Sequence, residues 1–235
     1  MTDDRMLQAL RQALQQAREL DAPLDAQLRH YVDALHEIFP AFSEAVDRLV
    51  KRLEAAGAGD NAPKDGEPMP EFLLPDEAGH LVSLSDLVSR GPAVVAFHRG
   101  HWCPYCQINA QALARLHTRV QAEGGDIVAV TPELQFYTAR HKDGAKADFR
   151  FLSDIDSGYA LSLNLAIWVG EEMQTFMSSI GRDLNSYQGN PSWFLPIPAT
   201  FVVARDGTVI ARFVDPDYRR RMDVEDVVAA VQKAR

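Results

Sequence analysis

Apolar residues recur at helical spacing through the first quarter of the chain. Leu7, Leu10, Leu14 and Ala17 form one stripe, Leu24, Leu28, Tyr31, Leu35 and Ile38 a second, and Phe42, Val46, Leu49 and Leu53 a third. Asp21-Ala22-Pro23 separates the first two stripes, with Asp21 placed to cap the second helix, and Pro40 separates the second from the third. Gly57-Ala58-Gly59-Asp60-Asn61-Ala62-Pro63 ends the periodicity and reads as a linker. The pattern predicts a helical segment over residues 1–60. Its apolar faces require burial, on the core or on a second copy of the chain, and a homodimer is the expectation.

A different pattern begins near Gly66. Phe72-Leu73-Leu74 and Leu81-Val82-Ser83-Leu84 are short strand candidates on either side of the turn Asp76-Glu77-Ala78-Gly79. Ala93-Val94-Val95-Ala96-Phe97 is continuously apolar, as a strand buried on both faces must be. Ile108, Leu113, Leu116 and Val120 then repeat at helical spacing, Asp126–Val130 reads as the next buried strand, and a helix is expected around 133–141. The interval 155–195 is weakly patterned, with short helices expected at 159–163 and 172–177. Ala199–Ala204 and Val209–Val214 form a hairpin about Arg205-Asp206-Gly207, since Asp-Gly accepts the positive φ of a tight turn. Asp223 is placed to cap a last helix containing Val224, Val227, Val228 and Val231. The order β-α-β-α, then β-β-α, predicts an α/β domain over 66–235, with a central mixed sheet flanked by helices. It resembles the thioredoxin layout, preceded here by a helical extension.

Composition narrows the classes of partner. Among 235 residues, 33 acidic and 24 basic side chains give a net charge of −9, which disfavours a nucleic-acid partner. Arg219-Arg220-Arg221 is the basic cluster, and it reads as a solvated turn. No apolar run is long enough to cross a bilayer, so no membrane partner is expected. Met1-Thr2-Asp3-Asp4-Arg5 lacks the basic start and apolar stretch of a secretory signal, and a cytoplasmic location is the expectation.

Two cysteines, Cys103 and Cys106, stand three positions apart. A bond between them would close too short a loop to stabilise a fold. Their position matters more. They follow a buried strand and open a helix, where unpaired N–H groups and the helix dipole stabilise a thiolate. Cys106 lies one turn beyond Cys103, close enough to resolve an intermediate formed on it. Pro104 suits the first helical position, and Trp102 is placed to shield one side of the pair. Two inert buried thiols, or half of a zinc site completed by His98, His101, His117 or His141, are the alternatives. The strand–motif–helix context and the lack of a second pair at zinc-finger spacing favour a redox pair, with no metal and no cofactor beyond an external thiol reductant.

The residues Phe97-His98-Arg99-Gly100-His101-Trp102-Cys103-Pro104-Tyr105-Cys106 resemble the signature of peroxiredoxin-like proteins of the alkyl hydroperoxide reductase/thiol-specific antioxidant family. The likeness continues at Pro70–Asp76, Gly91–Val95, Leu195–Phe201 and Asp215-Pro216-Asp217-Tyr218, and covers roughly residues 66–235. Ordinary members carry Pro-x-x-x-Thr-x-x-Cys. Laid on this chain, that pattern makes Cys106 the peroxidatic cysteine and puts Cys103 at the threonine and Arg99 at the proline. A later arginine of the family falls on Pro198, where thioredoxin-like proteins have a cis-proline facing the cysteine pair. The resemblance therefore implies a cis Ile197–Pro198 bond beside the site. Arg99 either replaces the missing arginine or is an exposed loop residue. His98 and His101 are weaker candidates for lowering a thiol pKa or moving a proton. Asp215–Tyr218 is read as the turn into the last helix.

Three functions follow in order of preference. A peroxidase would form a sulfenic acid on Cys106, resolved by Cys103, with thioredoxin, glutaredoxin or a small thiol as reductant. A disulfide oxidoreductase would use Cys103 as nucleophile on a disulfide substrate. A redox sensor without catalysis would use the helical extension as its working surface.

Overall fold

The computed structural model describes residues 4–234. It opens with α1 (Asp4–Glu19), α2 (Leu24–Ile38) and α3 (Pro40–Ala55), which bury the three predicted stripes. Asp21 does not cap α2. Pro23 precedes that helix, and the Gln27 side chain ties the corner instead, donating to the carbonyls of Leu20 (2.9 Å) and Ala22 (3.1 Å). Residues 57–63 form successive turns.

The remaining elements run β1 (Leu73–Pro75), β2 (Leu81–Ser83), α4 (Leu84–Arg90), β3 (Ala93–Phe97), α5 (Pro104–Ala122), β4 (Asp126–Thr131), α6 (Gln135–Ala145), β5 (Arg150–Ser153), α7 (Gly158–Ser162), β6 (Ala166–Trp168), α8 (Glu171–Ser179), α9 (Leu184–Gln188), β7 (Phe194–Pro196), β8 (Ala199–Val203), β9 (Val209–Val214) and α10 (Val224–Lys233). Leu84 belongs to α4 rather than to the strand before it, because the Ser83 hydroxyl accepts from the Asp86 N–H and starts the helix there. Asp223 caps α10 as expected, accepting from the Glu225 N–H.

The main sheet has the order β5-β4-β3-β8-β9. β3 lies parallel to β4 and antiparallel to β8, so the α/β class with a mixed central sheet and thioredoxin-like layout is as expected. Every residue of β3 is buried. Alternation divides its side chains between two cores. Val94 and Ala96 face α5 and α10, together with Ile127, Ala129 and Val202. Val95 and Phe97 face Phe72, Leu87 and Tyr159.

A third core gives the N-terminal helices their place. Leu28, Tyr31, Leu35 and Leu49 cluster with Cys103, Tyr105, Cys106 and Ile108 of the motif, and with Met173 and Met177 of α8. α5 is thus packed on the sheet by one face and on α2 by the other. Much of the apolar surface of the extension is covered within this chain, with Leu7, Leu14, Ile38 and Phe42 half-buried, and what it covers is the cysteine pair.

The C-terminal loop closes the same region. Arg219 joins Asp217 (2.7 Å) to Asp47 of α3 (2.6 Å) and is largely buried, so the arginine cluster is not a solvated turn. Arg220 alone of the three is well exposed. Leu28→Ala, which empties the third core, is expected to lower stability by about 2–5 kcal/mol in urea denaturation and to speed alkylation of Cys103 in the native state.

Candidate active site

β3 ends at Phe97, and the chain must turn sharply to begin α5 at Pro104. Gly100 makes the turn at φ +135°. A Cβ there would lie 2.6 Å from Cδ of Glu133 and 2.7 Å from Nε1 of Trp102, so any side chain would be strained and would displace Glu133 or Trp102. Glu133, fully buried just after β4, anchors the turn by accepting from the His101 backbone N–H and pairing with His101 Nδ1, both at 2.7 Å. Burial pushes the Glu133 carboxyl upward, and its bonds to His101 oppose that. The His101 ring stacks on Tyr137 with centroids 5.0 Å apart.

Cys103 is the N-cap residue of α5, with Pro104 in the first turn, and its carbonyl accepts from the Gln107 N–H at 3.0 Å. Both thiols are free and buried, Cys103 at 1% exposure and Cys106 at 0%. Cys106 Sγ accepts from the Arg99 backbone N–H (3.3 Å) and from the Arg221 guanidinium (3.5 Å). The two sulfurs titrate in opposite directions. Burial raises Cys103, but the hydrogen bond from the Cys106 side chain and the charges of Arg99 and Arg221 outweigh it, lowering the thiol to about 6. Burial and the bond to Cys103 hold Cys106 well above its ordinary value. The direction of these shifts favours the thiolate on Cys103, while the donors from Arg99 and Arg221 sit on the neighbouring Cys106 Sγ.

Arg99 is buried, not an exposed loop residue. Its guanidinium carbon lies 3.7 Å from the centroid of the Tyr218 ring and 5.2 Å from that of Trp102. Tyr218 in turn meets Tyr105 edge-on at 5.5 Å, and Tyr105 meets Tyr31 of α2 at 5.3 Å. Asp215–Tyr218 is thus more than a turn into α10, since it carries one wall of the site. Trp102 is buried beside Arg99.

The histidines are committed elsewhere. His98 is buried between Asn109 Oδ1 (2.9 Å) and His141 Nε2 (3.0 Å), and burial holds both imidazoles below their ordinary pKa. His117 pairs with Asp126 at 2.8 Å. Pro198 is buried between β7 and β8, and the implied cis bond is absent: every peptide bond among the described residues is trans. The reason is local. Pro196 pairs with Ala166, the Ile197 N–H donates to Leu165 at 2.7 Å, and Ala199 already pairs with β9, so the backbone is held extended from one strand into the next. Nor does Pro198 line the cavity that reaches the cysteines.

That cavity has a volume of about 340 Å³. Cys103, Arg99, Trp102, Tyr105 and Tyr218 form its inner end, and α1, α2 and the end of α8 form its walls. Cys106 is not among the lining residues. Sequence reasoning missed Tyr31, Glu133 and Arg221, and it misassigned Tyr218. Arg221 was visible as part of a basic run, but its inward direction depends on the loop that Arg219 holds.

A family model described as AhpC/TSA family matches residues 66–212. The chain is 24% identical over 149 residues to the thiol:disulfide interchange protein DsbE of Pseudomonas aeruginosa, covering 63% of this chain and 66% of that protein. It is 33% identical over 76 residues to the thiol-disulfide oxidoreductase ResA of Bacillus subtilis, covering 32% of this chain and 41% of that protein. It thus spans less than two thirds of the length of each. Among solved structures, the peroxidoxin BcpB of Mycobacterium tuberculosis superposes with a TM-score of 0.57 at 20% identity, over 74% of this chain and 99% of that one.

The alkylation rate of Cys103 in the wild-type pair is expected to fall as pH drops through about 6 and to be flat well above it, because the thiolate is the reacting form. Arg99→Met in the same background should move the midpoint upward, since it removes a charge that favours the thiolate. A stopped-flow iodoacetamide pH profile reads both. A midpoint at the free-cysteine value of about 8.5 would exclude a stabilised thiolate.

Proposed function

This chain belongs to the AhpC/TSA family, and we propose on that footing that it is a thiol-dependent peroxidase cycling Cys103 and Cys106 between dithiol and disulfide. One observation carries the proposal. Cys103 lies at 1% exposure beneath α1 and α2 and, unlike Cys106, borders a cavity of about 340 Å³. A small peroxide fits that approach. A disulfide on a folded protein would require the helices to move aside.

The same observation supports the reverse of the roles that alignment with ordinary peroxiredoxins implies. Cys103, not Cys106, is the attacking sulfur. Its thiolate attacks one peroxide oxygen, the O–O bond breaks, and the other oxygen leaves as an alcohol or water after taking up a proton. Arg99, clamped by Tyr218 and Trp102, supplies fixed positive charge where the leaving oxygen becomes negative. Cys103 is then a sulfenic acid. The Cys106 sulfur attacks it, water leaves, and the disulfide forms. Two electrons and two protons restore the dithiol, from a small thiol through the cavity or from thioredoxin or glutaredoxin once the helices have moved aside. In that step Arg221, 3.5 Å from Cys106 Sγ, stabilises the departing thiolate.

A second reading is disulfide exchange, favoured by the likeness to DsbE and ResA. It uses Cys103 as the same nucleophile. Trapping with dimedone after a hydrogen peroxide pulse separates the readings. A strong adduct is expected at Cys103 in Cys106→Ser and a weak one at Cys106 in Cys103→Ser. The reverse pattern restores Cys106 as the peroxidatic residue. Rapid insulin reduction with negligible peroxide turnover establishes disulfide exchange instead.

A further inference from the structure

The cavity over Cys103 is far larger than hydrogen peroxide needs. At about 340 Å³ it has room for on the order of ten water molecules, taking about 30 Å³ for each. Part of its wall is aliphatic. Leu7, Leu10 and Leu14 come from α1, Leu35 from α2, and Met177 and Ile180 from the end of α8. Hydrogen peroxide gains nothing from such walls, whereas an alkyl chain does.

Charge adds a second constraint. The chain carries net charge −9, yet no Asp or Glu lines the cavity among the described residues. Three arginines do: Arg99 beside Cys103, and Arg11 with Arg182. Arg11 is exposed and Arg182 half-buried, so these two mark the end of the cavity that solvent reaches, while Arg99 and Cys103 mark the buried end. Arg48, Arg119 and Arg219 are paired with carboxylates. Among the described residues, neither Arg11 nor Arg182 forms such a pair. An apolar chamber with free guanidinium groups at its mouth and a reactive sulfur at its base is complementary to a molecule with the same order of parts.

We propose that the cavity binds alkyl carboxylates, and that the substrate is a hydroperoxide of this class. Its chain lies along α1 and α8, its carboxylate rests between Arg11 and Arg182, and its peroxide reaches Cys103. The peroxide chemistry rests on the peroxidase reading above; the binding does not. α1 and α2 thereby become the specificity element of the site.

Binding is tested by calorimetry on full-length Cys103→Ser/Cys106→Ser, with decanoate and decanol as probes. Decanoate is expected to bind about tenfold more tightly than decanol, as two partly exposed charge contacts allow. Arg11→Gln/Arg182→Gln should remove that preference, and high salt should weaken it. Leu10→Trp, which fills the chamber, should reduce binding of both. Equal binding of the two probes, or no binding of decanoate, overturns the proposal. A turnover arm compares a carboxylate-bearing alkyl hydroperoxide with its methyl ester on the wild-type pair, and a higher kcat/KM for the acid is expected. Decanoate binding without hydroperoxide turnover would remove the peroxidase reading and leave the binding site standing. Turnover without decanoate binding would do the opposite.

Discussion

The structure turns on a buried thiol whose surroundings favour its anion. A charged sulfur at 1% exposure is costly unless charges and hydrogen bonds replace the water it has lost. The replacements here are few and specific: the Cys106 thiol proton, the guanidiniums of Arg99 and Arg221, and the start of α5. Cys106 and the helix are local to Cys103, whereas the two guanidiniums come from outside α5. Arg99 arrives from the end of β3, Arg221 from the loop before α10, and each must itself be held in place.

Holding them explains much of the surrounding packing. Arg99 lies against the face of Tyr218, whose edge contacts continue through Tyr105 to Tyr31. A cation over an aromatic face is stabilised further where water is excluded. Arg221 is directed inward by its bond to the Tyr218 carbonyl, and the loop bearing both residues is tied to α3 by Arg219 and Asp47. The N-terminal helices are therefore joined to the chemistry twice, through an aromatic chain from α2 and an ion pair from α3. A helical extension that appeared in sequence as a separate segment works here as a wall of the site.

How much of this was legible follows from the range of the interactions. Helices with long stripes, the apolar strand β3 and the Asp-Gly hairpin were readable because periodicity and turn chemistry are local. β5 was not, because Arg150-Phe151-Leu152-Ser153 is too short to show a period and becomes a strand by pairing with β4. The Cys103/Cys106 pair was legible as chemistry because strand, motif and helix are contiguous. Arg221 and Tyr218 were not, since a run of arginines looks the same whether it faces water or a sulfur. The cis bond at Pro198 was expected by analogy. It failed because the ladders on both sides of Ile197–Pro198 hold this chain extended.

These departures have a common sense. In the family pattern, a threonine hydroxyl and a distant arginine serve the reactive sulfur. Here the threonine position holds Cys103, and the arginine position holds Pro198. A thiolate does not require particular sequence positions, however; it requires donors and positive charge within reach of its sulfur. Cys106 supplies the donor, and Arg99 and Arg221 supply the charge from two other segments. Moving the acidic thiol from the interior of the helix's first turn to its cap also moves it from a sealed position to the wall of a cavity. The electrostatic arrangement that favours a thiolate on Cys103 and the packing that leaves it beside a cavity are therefore one solution, in which the helices that cover the cysteine pair also wall the cavity that reaches it.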